Sequence, residues 1–286
     1  MKKTKDLKLI GVDLGGTNVR AGLVQHDDIA VLKARPITSH GQAEVVLEEV
    51  CQTIEAVLDP EVRGIGVDVP SVVDAEKGVV YSAANIPSWR EVPLKDLLQK
   101  RFGVPVFVNN DAKCFALGEL HFGEGRGFQN LVGLIVGTGL GAGVIINGKL
   151  FSGSHGGAGE IGHAPYAGQE FEYYCSGRFF DREFGISAFE AEQRADKGDA
   201  AALKMFAAFG DHFGNAMQAL LYAFDPEIVV LGGGVSKAFR HFEKPMWANL
   251  RANFRFQHSL DRLKVVPNRK ANIAVLAAAA LCLDSE

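Results

Sequence analysis

The sequence is poor in cysteine, and the cysteines it has are scattered. The four present, Cys51, Cys114, Cys175 and Cys282, show no paired spacing. Small secreted domains held together by disulfides carry cysteines densely and at recurring separations. This pattern excludes a disulfide framework and favours a reducing compartment.

Basic charge is not in excess either. The formal net charge is −4 at pH 7, with 30 Lys and Arg against 34 Asp and Glu. Proteins that bind nucleic acid present clustered positive charge to the phosphates. The basic residues between 262 and 270 are better interpreted as solvated surface. We therefore expect no nucleic-acid partner.

Long apolar runs suited to a membrane are also missing. Lys2 and Lys3 are typical of a signal peptide, but Asp6, Lys8 and Asp13 interrupt any apolar segment behind them. The uncharged run 131–147 approaches the ~20 residues of a membrane-spanning helix. Its five glycines and one threonine favour a β-hairpin instead. We expect a cytoplasmic protein with no membrane partner.

Glycine is abundant. The chain has 33 glycines in 286 residues, against ~20 expected from an average usage of about 7%. Many of them cluster in turns, and we interpret the excess as a need for close approach between backbone and ligand. The length is that of two domains.

The first glycine turn lies between two apolar strands, 7–14 and 19–24. In Gly11-Val12-Asp13-Leu14-Gly15-Gly16-Thr17-Asn18, the glycines let backbone N–H groups point at phosphate oxygens. Asp13 is placed where it would face a divalent cation held by those phosphates. An ordinary hairpin turn is the alternative reading of this stretch alone.

A second copy of this pattern favours the phosphate reading. Residues 133–146 align without gaps on residues 11–24, so that Gly137-Thr138-Gly139 meets Gly15-Gly16-Thr17. The apolar strand of Gly64 to Ser71 likewise has a counterpart in Ile228 to Gly234, each after an amphipathic helix, predicted over 42–58 and 200–224. Further helices are predicted over 94–102 and 271–283. A duplicated α/β unit with two glycine turns predicts two lobes that grip one polyphosphate.

Asn109, Asn110 and Asp111 follow a predicted strand, 104–108, and open a predicted helix. Asp111 has two readings at this point. It is a helix N-cap, or it is a general base kept ionised by the helix N-terminus.

A glycine-rich loop follows the second hairpin and carries Glu160 and His163. Either side chain can hydrogen-bond hydroxyl groups of a polyol. The alternative is a glycine-rich connector with a surface glutamate.

Together these residues resemble the ROK family of sugar kinases and sugar-responsive regulators, within the actin-like ATPase (ribonuclease H-like) fold. The resemblance covers nearly the whole chain. It rests on Gly11 to Thr17, Asn110-Asp111-Ala112, Gly137-Thr138-Gly139, Ala158-Gly159-Glu160-Ile161-Gly162-His163 and Gly232-Gly233-Gly234, in family order. It implies a duplicated α/β fold with two lobes around a central cleft. The expected small lobe is 1–111, completed by a C-terminal helix at 271–286, and the large lobe is 112–270.

The resemblance also implies an activity and a set of site residues. The activity is ATP-dependent phosphorylation of a hexose, usually at the 6-hydroxyl, with Mg²⁺ and in a homodimer. Asp111 matches the catalytic base. The sugar-contacting positions are Asn85, Asn110, Glu160 and His163, with Ser71 where the family usually has glycine. The phosphate loops are Gly15, Gly16, Thr17 and Gly137, Thr138, Gly139, with Asp13 near magnesium and Gly232, Gly233, Gly234 on the adenosine side.

One segment departs from the family. Many members bind structural zinc through a Cys-x-Cys-Gly-x-x-Gly-Cys-x-Glu segment and the histidine that matches His163. Here Tyr173 and Phe180 replace two of the cysteines, which leaves Cys175 and His163 of four ligands. Structural zinc is bound by four ligands, so we expect no zinc, with the aromatic residues filling the same space. Arg182 replaces a glutamate that often reaches the sugar, and Asp181 or Glu183 is a candidate substitute.

Other functions within this fold stay open from sequence. A transcriptional regulator needs a DNA-binding segment ahead of the first strand, and the glycine motif already begins at Gly11. A catalytically silent sugar sensor remains an alternative, against which Asp111 and both phosphate turns argue. An actin-like assembly protein would not need Asn110-Asp111 together with Glu160 and His163. The preferred hexose and the phosphoryl donor are not determined.

Overall fold

A computed structural model of the chain describes residues 7–83 and 85–284. The chain divides into two compact units. The first is Met1–Arg126, Lys149–Ala158 and Lys270–Glu286, and the second is Gly127–Gly148 and Gly159–Arg269. The predicted boundary at residue 111 assigns 112–126 and 149–158 to the large lobe, whereas the contacts place them in the first unit.

The first unit is built on a five-stranded sheet of mixed direction. Its strands are β1 (Lys8–Leu14), β2 (Asn18–Gln25), β3 (Asp28–Pro36), β4 (Val62–Val69) and β8 (Val106–Asn110), in the order β3-β2-β1-β4-β8. β1, β2 and β3 pair antiparallel, and β1, β4 and β8 pair parallel. A small antiparallel sheet consists of β5 (Val72–Asp74), β6 (Val79–Tyr81) and β7 (Glu91–Val92). The sequence did not predict this small sheet.

Among its described residues, the same unit has the helices α1 (Ala43–Glu55), α2 (Leu94–Phe102), α3 (Asp111–Phe122) and α10 (Ile273–Asp284). The predicted helices 42–58, 94–102 and 271–283 correspond to α1, α2 and α10. The stripe of α1 lies in the core, with Val46, Val50 and Ile54 fully buried. The unit also contains the short strand β11 (Lys149–Leu150).

Several glycines of this unit lie against α10 and not against open space. A Cβ on Gly11 would lie 1.8 Å from the carbonyl oxygen of Val275, and one on Gly66 would lie 1.8 Å from that of Ala278. A Cβ on Gly118 of α3 would meet Ala277 at 2.6 Å. For these positions the interpretation of the glycine excess as a ligand requirement is wrong. They let a helix of small residues pack directly on β1, β4 and α3.

The second unit repeats the strand arrangement. Its strands β9 (Leu131–Val136), β10 (Leu140–Ile146), β14 (Ile228–Gly232) and β15 (Lys264–Pro267) lie in the order β10-β9-β14-β15. β9 and β10 form an antiparallel hairpin, and β14 pairs parallel with both β9 and β15. This is the arrangement of β2, β1, β4 and β8. The duplication predicted from the glycine turns is confirmed.

The remaining elements of the second unit surround its sheet. They are two short strands, β12 (Pro165–Tyr166) and β13 (Gln169–Glu170), and the helices α4 (Phe171–Cys175), α5 (Arg178–Phe184), α6 (Ala188–Asp196), α7 (Ala200–Phe224), α8 (Phe239–Asn253) and α9 (Gln257–Leu260). The bounds of α7 in the structure are those that the sequence predicts, 200–224. Its side chains Phe206, Phe209 and Phe213 are fully buried and form the core with Phe180 and Phe242. No helix in the described ranges combines the length and apolar character needed to cross a bilayer.

Candidate functional site

A row of polar side chains crosses the sheet of the first unit at the carboxyl ends of β1 and β4. Asp13 of β1 lies opposite Arg20 of β2 on one side and opposite Asp68 of β4 on the other. Asp68 in turn lies opposite Asn109 of β8. Residues in register on neighbouring strands point to the same face of a sheet, and this edge of parallel strands is where α/β folds bind ligands.

Arg20 is bound to the carboxylate of Asp13. Its Nε donates to Asp13 Oδ2 at 2.7 Å, and its Nη2 donates to the same oxygen. The side chains are 38% and 20% exposed, respectively, so the pair is open to ligand. Asp13 is thus oriented by Arg20 and by a hydrogen bond with Asp68, and part of its side chain stays exposed. This fits an outer position beside Mg²⁺, which keeps several of its own waters and binds few carboxylates.

Asp68 is the most deeply buried carboxyl group of the row, at 2% exposure. Its Oδ1 has no hydrogen-bond partner among the described residues. Burial raises the pKa of Asp68 well above its ordinary value, and the nearby carboxylates of Asp13 and Asp111 raise it further. The physical reason is that water is excluded and that a third negative charge would be repelled. Asp68 therefore favours the neutral acid.

Helix α3 begins at Asp111, and the preceding residue supplies its cap. The side-chain oxygen of Asn110 accepts the N–H of Ala112 at 3.0 Å. Asp111 Oδ1 lies 2.9 Å from the same N–H, so this carboxylate also faces the helix N-terminus. One reading of Asp111 predicted it as the helix N-cap. In the structure the N-cap is Asn110, and Asp111 shares with it the contact to the Ala112 N–H. Partial positive charge at this terminus favours an ionised Asp111.

Asn110 also connects α3 to the loop that carries Ser71. Its Nδ2 donates to the carbonyl oxygen of Ser71 at 3.3 Å, and Ser71 Oγ donates to the carbonyl oxygen of Tyr81 at 2.5 Å. Both ends of the Asn110 amide and the Ser71 hydroxyl are therefore engaged within the protein. The structure brings these two predicted sugar-contacting residues together, and it gives each an organising role.

Lys113 is a buried lysine in the first turn of α3, at 4% exposure. Its Nζ donates to the carbonyl oxygen of Gly156, in the segment Lys149–Ala158. Gly156 has a φ of 75°, in the left-handed region that favours glycine. Lys113 thus attaches this glycine-rich segment to the helix that presents Asp111.

The glycine turn of the second unit is held by a carboxylate behind it. Glu172 Oε2 accepts the N–H of Leu140 at 3.0 Å, and a Cβ on Gly139 would lie 2.6 Å from that oxygen. The carbonyl oxygen of Gly137 accepts the N–H of Gly177 at 2.7 Å. A Cβ on Gly137 would meet nothing within 4 Å. Gly139 is therefore constrained by the protein, whereas Gly137 faces open space.

A pocket of about 540 Å³ adjoins this turn within the second unit. Its wall includes two cations, Arg178 and Lys237, and the aromatic ring of Phe189, which is 68% exposed. The rest is formed by Gly137, Thr138, Gly177, Asp181, Ser187, Ala188, Glu192, Gly234, Val235 and Ala238. Glycine backbone, two cations and an accessible aromatic face can together hold a phosphorylated aromatic ligand.

Of the three consecutive glycines at the end of β14, Gly232, Gly233 and Gly234, the last lines this pocket. Gly232 is buried in β14, opposite Ile135. Gly233 has a φ of 84°, and a Cβ there would lie 2.4 Å from the carbonyl oxygen of Val136. Gly232 and Gly233 thus shape the turn, and Gly234 is the one that lines the pocket.

Glu160 and His163 are both exposed and lie on a segment packed against β10. The glycines beside them allow this packing, because a Cβ on Gly159 or Gly162 would lie 2.0 Å or 2.2 Å from a β10 carbonyl oxygen. His163 Nδ1 lies 3.1 Å from Glu170 Oε2. The bond to Glu170 raises the pKa of His163 above its ordinary value. Glu170 is a partner that the sequence did not suggest.

The segment expected to lack zinc is filled by side chains. Phe180 is fully buried in the core of the second unit, and burial raises the pKa of the Cys175 thiol. Metal binding requires a thiolate, so Cys175 is a poor ligand here. Arg182 Nη1 donates to the carbonyl oxygen of Tyr173, and its guanidinium lies 4.3 Å from that ring's centre. Among the described residues no group of three His, Cys, Asp or Glu side chains is placed to hold a metal ion.

The two candidate substitutes for the missing sugar-contacting glutamate lie in different surroundings. Asp181 lines the pocket beside the glycine turn, and Glu183 lies near His212. His212 itself is bonded to Tyr166 at 3.0 Å and stacks on Tyr174. This aromatic cluster supports the hairpin of β12 and β13.

Sequence reasoning missed Arg20, Asp68, Lys113 and Glu172. Signals for the first two were present. Arg20 lies as far after the glycine turn as Asp13 lies before it, so a hairpin pairs them. Asp68 is a charge inside a run predicted to be a buried strand. Lys113 and Glu172 carry no such local signal, because their partners are distant in the chain.

Comparisons with known proteins agree with this architecture. The sequence profile of the ROK family matches residues 9–284. A glucokinase of Thermotoga maritima is 34% identical over 264 residues, which span 81% of this chain and 83% of that protein. The crystal structure of a ROK family glucokinase from Streptomyces griseus, in complex with glucose and AMPPNP, superposes with a TM-score of 0.80 and 28% identity. That match covers 96% of this chain and 98% of the other.

A repressor also shares sequence with this protein. A xylose repressor of Caldicellulosiruptor bescii is 44% identical over 114 residues, which span 40% of this chain and 28% of the repressor. The fold of the present protein is the duplicated actin-like ATPase fold, as the repeated strand order and the structural likeness show. With its profile match over nearly the whole length, the chain belongs to the ROK family.

Proposed function

We propose that this protein transfers the terminal phosphoryl group of ATP to the 6-hydroxyl of a hexose, glucose or a close relative, giving hexose 6-phosphate and ADP. The observation that carries the proposal is the position of Asp111. It lies at the N-terminus of α3, directly after β8, at the same edge of the sheet as Asp13 and Asp68. The likeness to glucokinases supports the choice of reaction.

Asp111 acts as the general base. Its carboxylate accepts the proton of the sugar hydroxyl as the bond to phosphorus forms, and the helix N-terminus keeps it ionised before that step. The loose transition state of phosphoryl transfer needs the hydroxyl positioned more than it needs a strong base. A base of this kind contributes about 10²–10⁴ in rate.

The donor binds to the second unit through the glycine turn and its pocket. Arg178 and Lys237 offer positive charge to phosphates, and the exposed ring of Phe189 offers a face to a purine. An inorganic polyphosphate would leave this aromatic face unused, so we favour a nucleoside triphosphate. Mg²⁺ supplies charge neutralisation on the phosphates, and Asp13, oriented by Arg20, is the residue that would face it.

The sugar contacts that we propose include Asn85, Ser71 and Asn110, with the Asn110 amide bonded to the carbonyl oxygen of Ser71. Glu160 and His163, which are both exposed, are further candidates. From the resemblance we also infer a cytoplasmic location and a homodimer. Light scattering on the purified protein tests the homodimer.

A coupled assay of ADP release tests the reaction. Glucose, mannose, fructose, N-acetylglucosamine, N-acetylmannosamine and allose are supplied in turn with Mg-ATP. The test variant is Asp111→Asn, and the matched control is Asp96→Asn, since Asp96 lies in the first turn of α2 and is exposed. We expect Asp111→Asn to lower kcat by at least ~10²-fold, with Asp96→Asn unchanged.

The alternative is a sugar-responsive regulator without catalysis, favoured by the identity shared with the xylose repressor. The same assay separates the two functions. Sugar binding by calorimetry without any turnover above Asp111→Asn supports the sensor. Turnover that Asp111→Asn retains in full would remove Asp111 from the role of base.

A further inference from the structure

The two glycines of the first phosphate turn differ in what surrounds them. A Cβ on Gly16 would lie 2.5 Å from Asn85 Cβ, 2.7 Å from its Cγ and 2.9 Å from its Nδ2. A Cβ on Gly15 would meet only the carbonyl oxygen of Asn18, at 3.3 Å. Neither glycine has a positive φ, so backbone conformation does not demand glycine at either position.

The loop that carries Asn85 is anchored on both sides of it. Ile86 is 2% exposed and Trp89 is fully buried. The N–H of Ile86 bonds to the carbonyl oxygen of Ala83 at 3.0 Å, and the N–H of Trp89 bonds to that of Ile86 at 2.9 Å. Trp89 Nε1 further donates to the carbonyl oxygen of Ala43 at 3.3 Å.

These anchors decide how the protein would respond to a side chain at position 16. Rotation of the Asn85 side chain would move its Cγ and Nδ2 but not its Cβ, which would still lie 2.5 Å from the added methyl carbon. An added methyl group therefore displaces Asn85 as a whole and moves its amide, against the loop that Ile86 and Trp89 anchor. In the structure as it is, the bare Cα of Gly16 forms the surface on which the Asn85 amide rests.

We propose that Gly16 is a positioning residue for sugar recognition, which sets the orientation of the Asn85 amide through direct packing. The proposal rests on the proposed function, in which Asn85 contacts the sugar. It gives this glycine a role different from that of Gly15 in the same turn. Gly15 serves the approach of phosphate, and Gly16 serves the sugar through Asn85.

Steady-state kinetics of Gly16→Ala and Gly15→Ala test the proposal. We expect Gly16→Ala to raise KM for the sugar about five- to tenfold, the value of one misplaced hydrogen bond, with a smaller change in KM for ATP. Gly15→Ala is expected to act on KM for ATP and to leave KM for the sugar as it is. An equal rise in sugar KM for both variants would overturn the inference.

A double-mutant cycle on unfolding tests the contact without any activity. Asn85→Gly removes all three atoms that a Cβ at position 16 would meet. We expect Gly16→Ala to lower the Tm of the unliganded protein, and to have no effect in the Asn85→Gly background. Additive Tm changes would show that the residues do not act through each other and would overturn the proposal, even if Gly16→Ala binds no sugar.

The outcomes also separate this inference from the proposed function. If the wild-type protein phosphorylates no sugar, the proposed function fails, and the sugar role of Gly16 fails with it. If the wild-type protein is active and Gly16→Ala has normal sugar KM, only the inference about Gly16 fails.

Discussion

Asp13 and Asp68 lie side by side on the parallel strands β1 and β4, and they differ in their partners. Asp13 is held by Arg20, whereas Asp68 is buried with one oxygen that has no hydrogen-bond partner among the described residues. Burial, and then the charges of Asp13 and Asp111, raise the pKa of Asp68. Asp68 thus favours the neutral acid beside the Asp13 carboxyl group that Arg20 holds.

Replacing Asp68 with asparagine is expected to preserve the fold and to improve stability at high pH. A raised pKa in the folded state means that the stability contribution is complete below the ordinary Asp pKa and is lost as pH rises toward the raised value. Asp68→Asn has no such loss. The difference in free energy of unfolding between this variant and wild type should therefore shift in favour of the variant as pH rises. Urea unfolding from pH 5 to pH 9 measures this difference.

Asp74→Asn is the control for that series, because hydrogen bonding to the Lys77 N–H lowers the pKa of Asp74. Its contribution is complete above the ordinary Asp pKa and is lost only as pH falls below it, so the stability difference between Asp74→Asn and wild type should stay flat from pH 5 to pH 9. A stability difference between Asp68→Asn and wild type that is flat with pH would contradict a neutral Asp68.

Gly137→Ala and Gly139→Ala should separate ligand approach from internal packing in the second glycine turn. A methyl group on Gly137 enters open space, so Tm should be unchanged while KM for ATP rises. A methyl group on Gly139 approaches the Glu172 carboxylate that holds Leu140, so Tm should fall. Differential scanning fluorimetry of the ligand-free variants, followed by ATP titration, measures both. A Tm loss for Gly137→Ala would show that its open surroundings are not retained in solution.

Glu119 should make stability pH-dependent near neutrality. It is fully buried, with Oε2 accepting the N–H of Glu124 at 2.8 Å. Burial raises its pKa to about 7 from a model-peptide value of 4.5. Because one pKa unit is worth about 1.36 kcal/mol, ionised Glu119 costs roughly 3 kcal/mol of folding stability above pH 7. The penalty grows as pH rises from about 4.5 to 7 and vanishes below that range.

Glu119→Gln keeps an acceptor for Glu124 and removes the charge. Relative to wild type, its free energy of unfolding should increase between pH 5 and pH 8. Glu91→Gln, an exposed replacement on β7, is the matched control and should track wild type across this range. Parallel profiles for wild type and Glu119→Gln would mean that Glu119 ionises without penalty.

Removal of metal should leave the 171–182 region intact. Cys175 is buried in the core, His163 is bonded to Glu170, and Phe180 fills the interior. We expect the purified protein to contain no stoichiometric zinc and to keep its Tm after treatment with a zinc chelator. Elemental analysis decides the first point, and stoichiometric zinc would contradict it. Because a chelator also removes Mg²⁺, excess Mg²⁺ is added back before the activity of the treated protein is measured.

Much of the fold was accessible from sequence because it depends on local periodicity. The apolar stripe predicted α7, the following Asp225-Pro226 predicted its end, and the matching glycine turns predicted a duplicated α/β unit. Asp111 was located by the same reasoning, since a strand followed by a helix places the intervening residues at the sheet edge. The domain division was less accessible, because α3 packs on α10, which is far away in the chain.

The sequence by itself determined the duplicated α/β architecture, the two glycine turns and the residues that bound the strand ends. These features depend on the spacing of apolar residues and on the residues that form turns, and both are local properties of the sequence. Only the tertiary structure decided that Asp68 lies beside Asp13, that Glu172 holds the second turn and that Gly16 lies beneath Asn85. The reason is that these contacts depend on strand register and on packing between segments far apart in the chain.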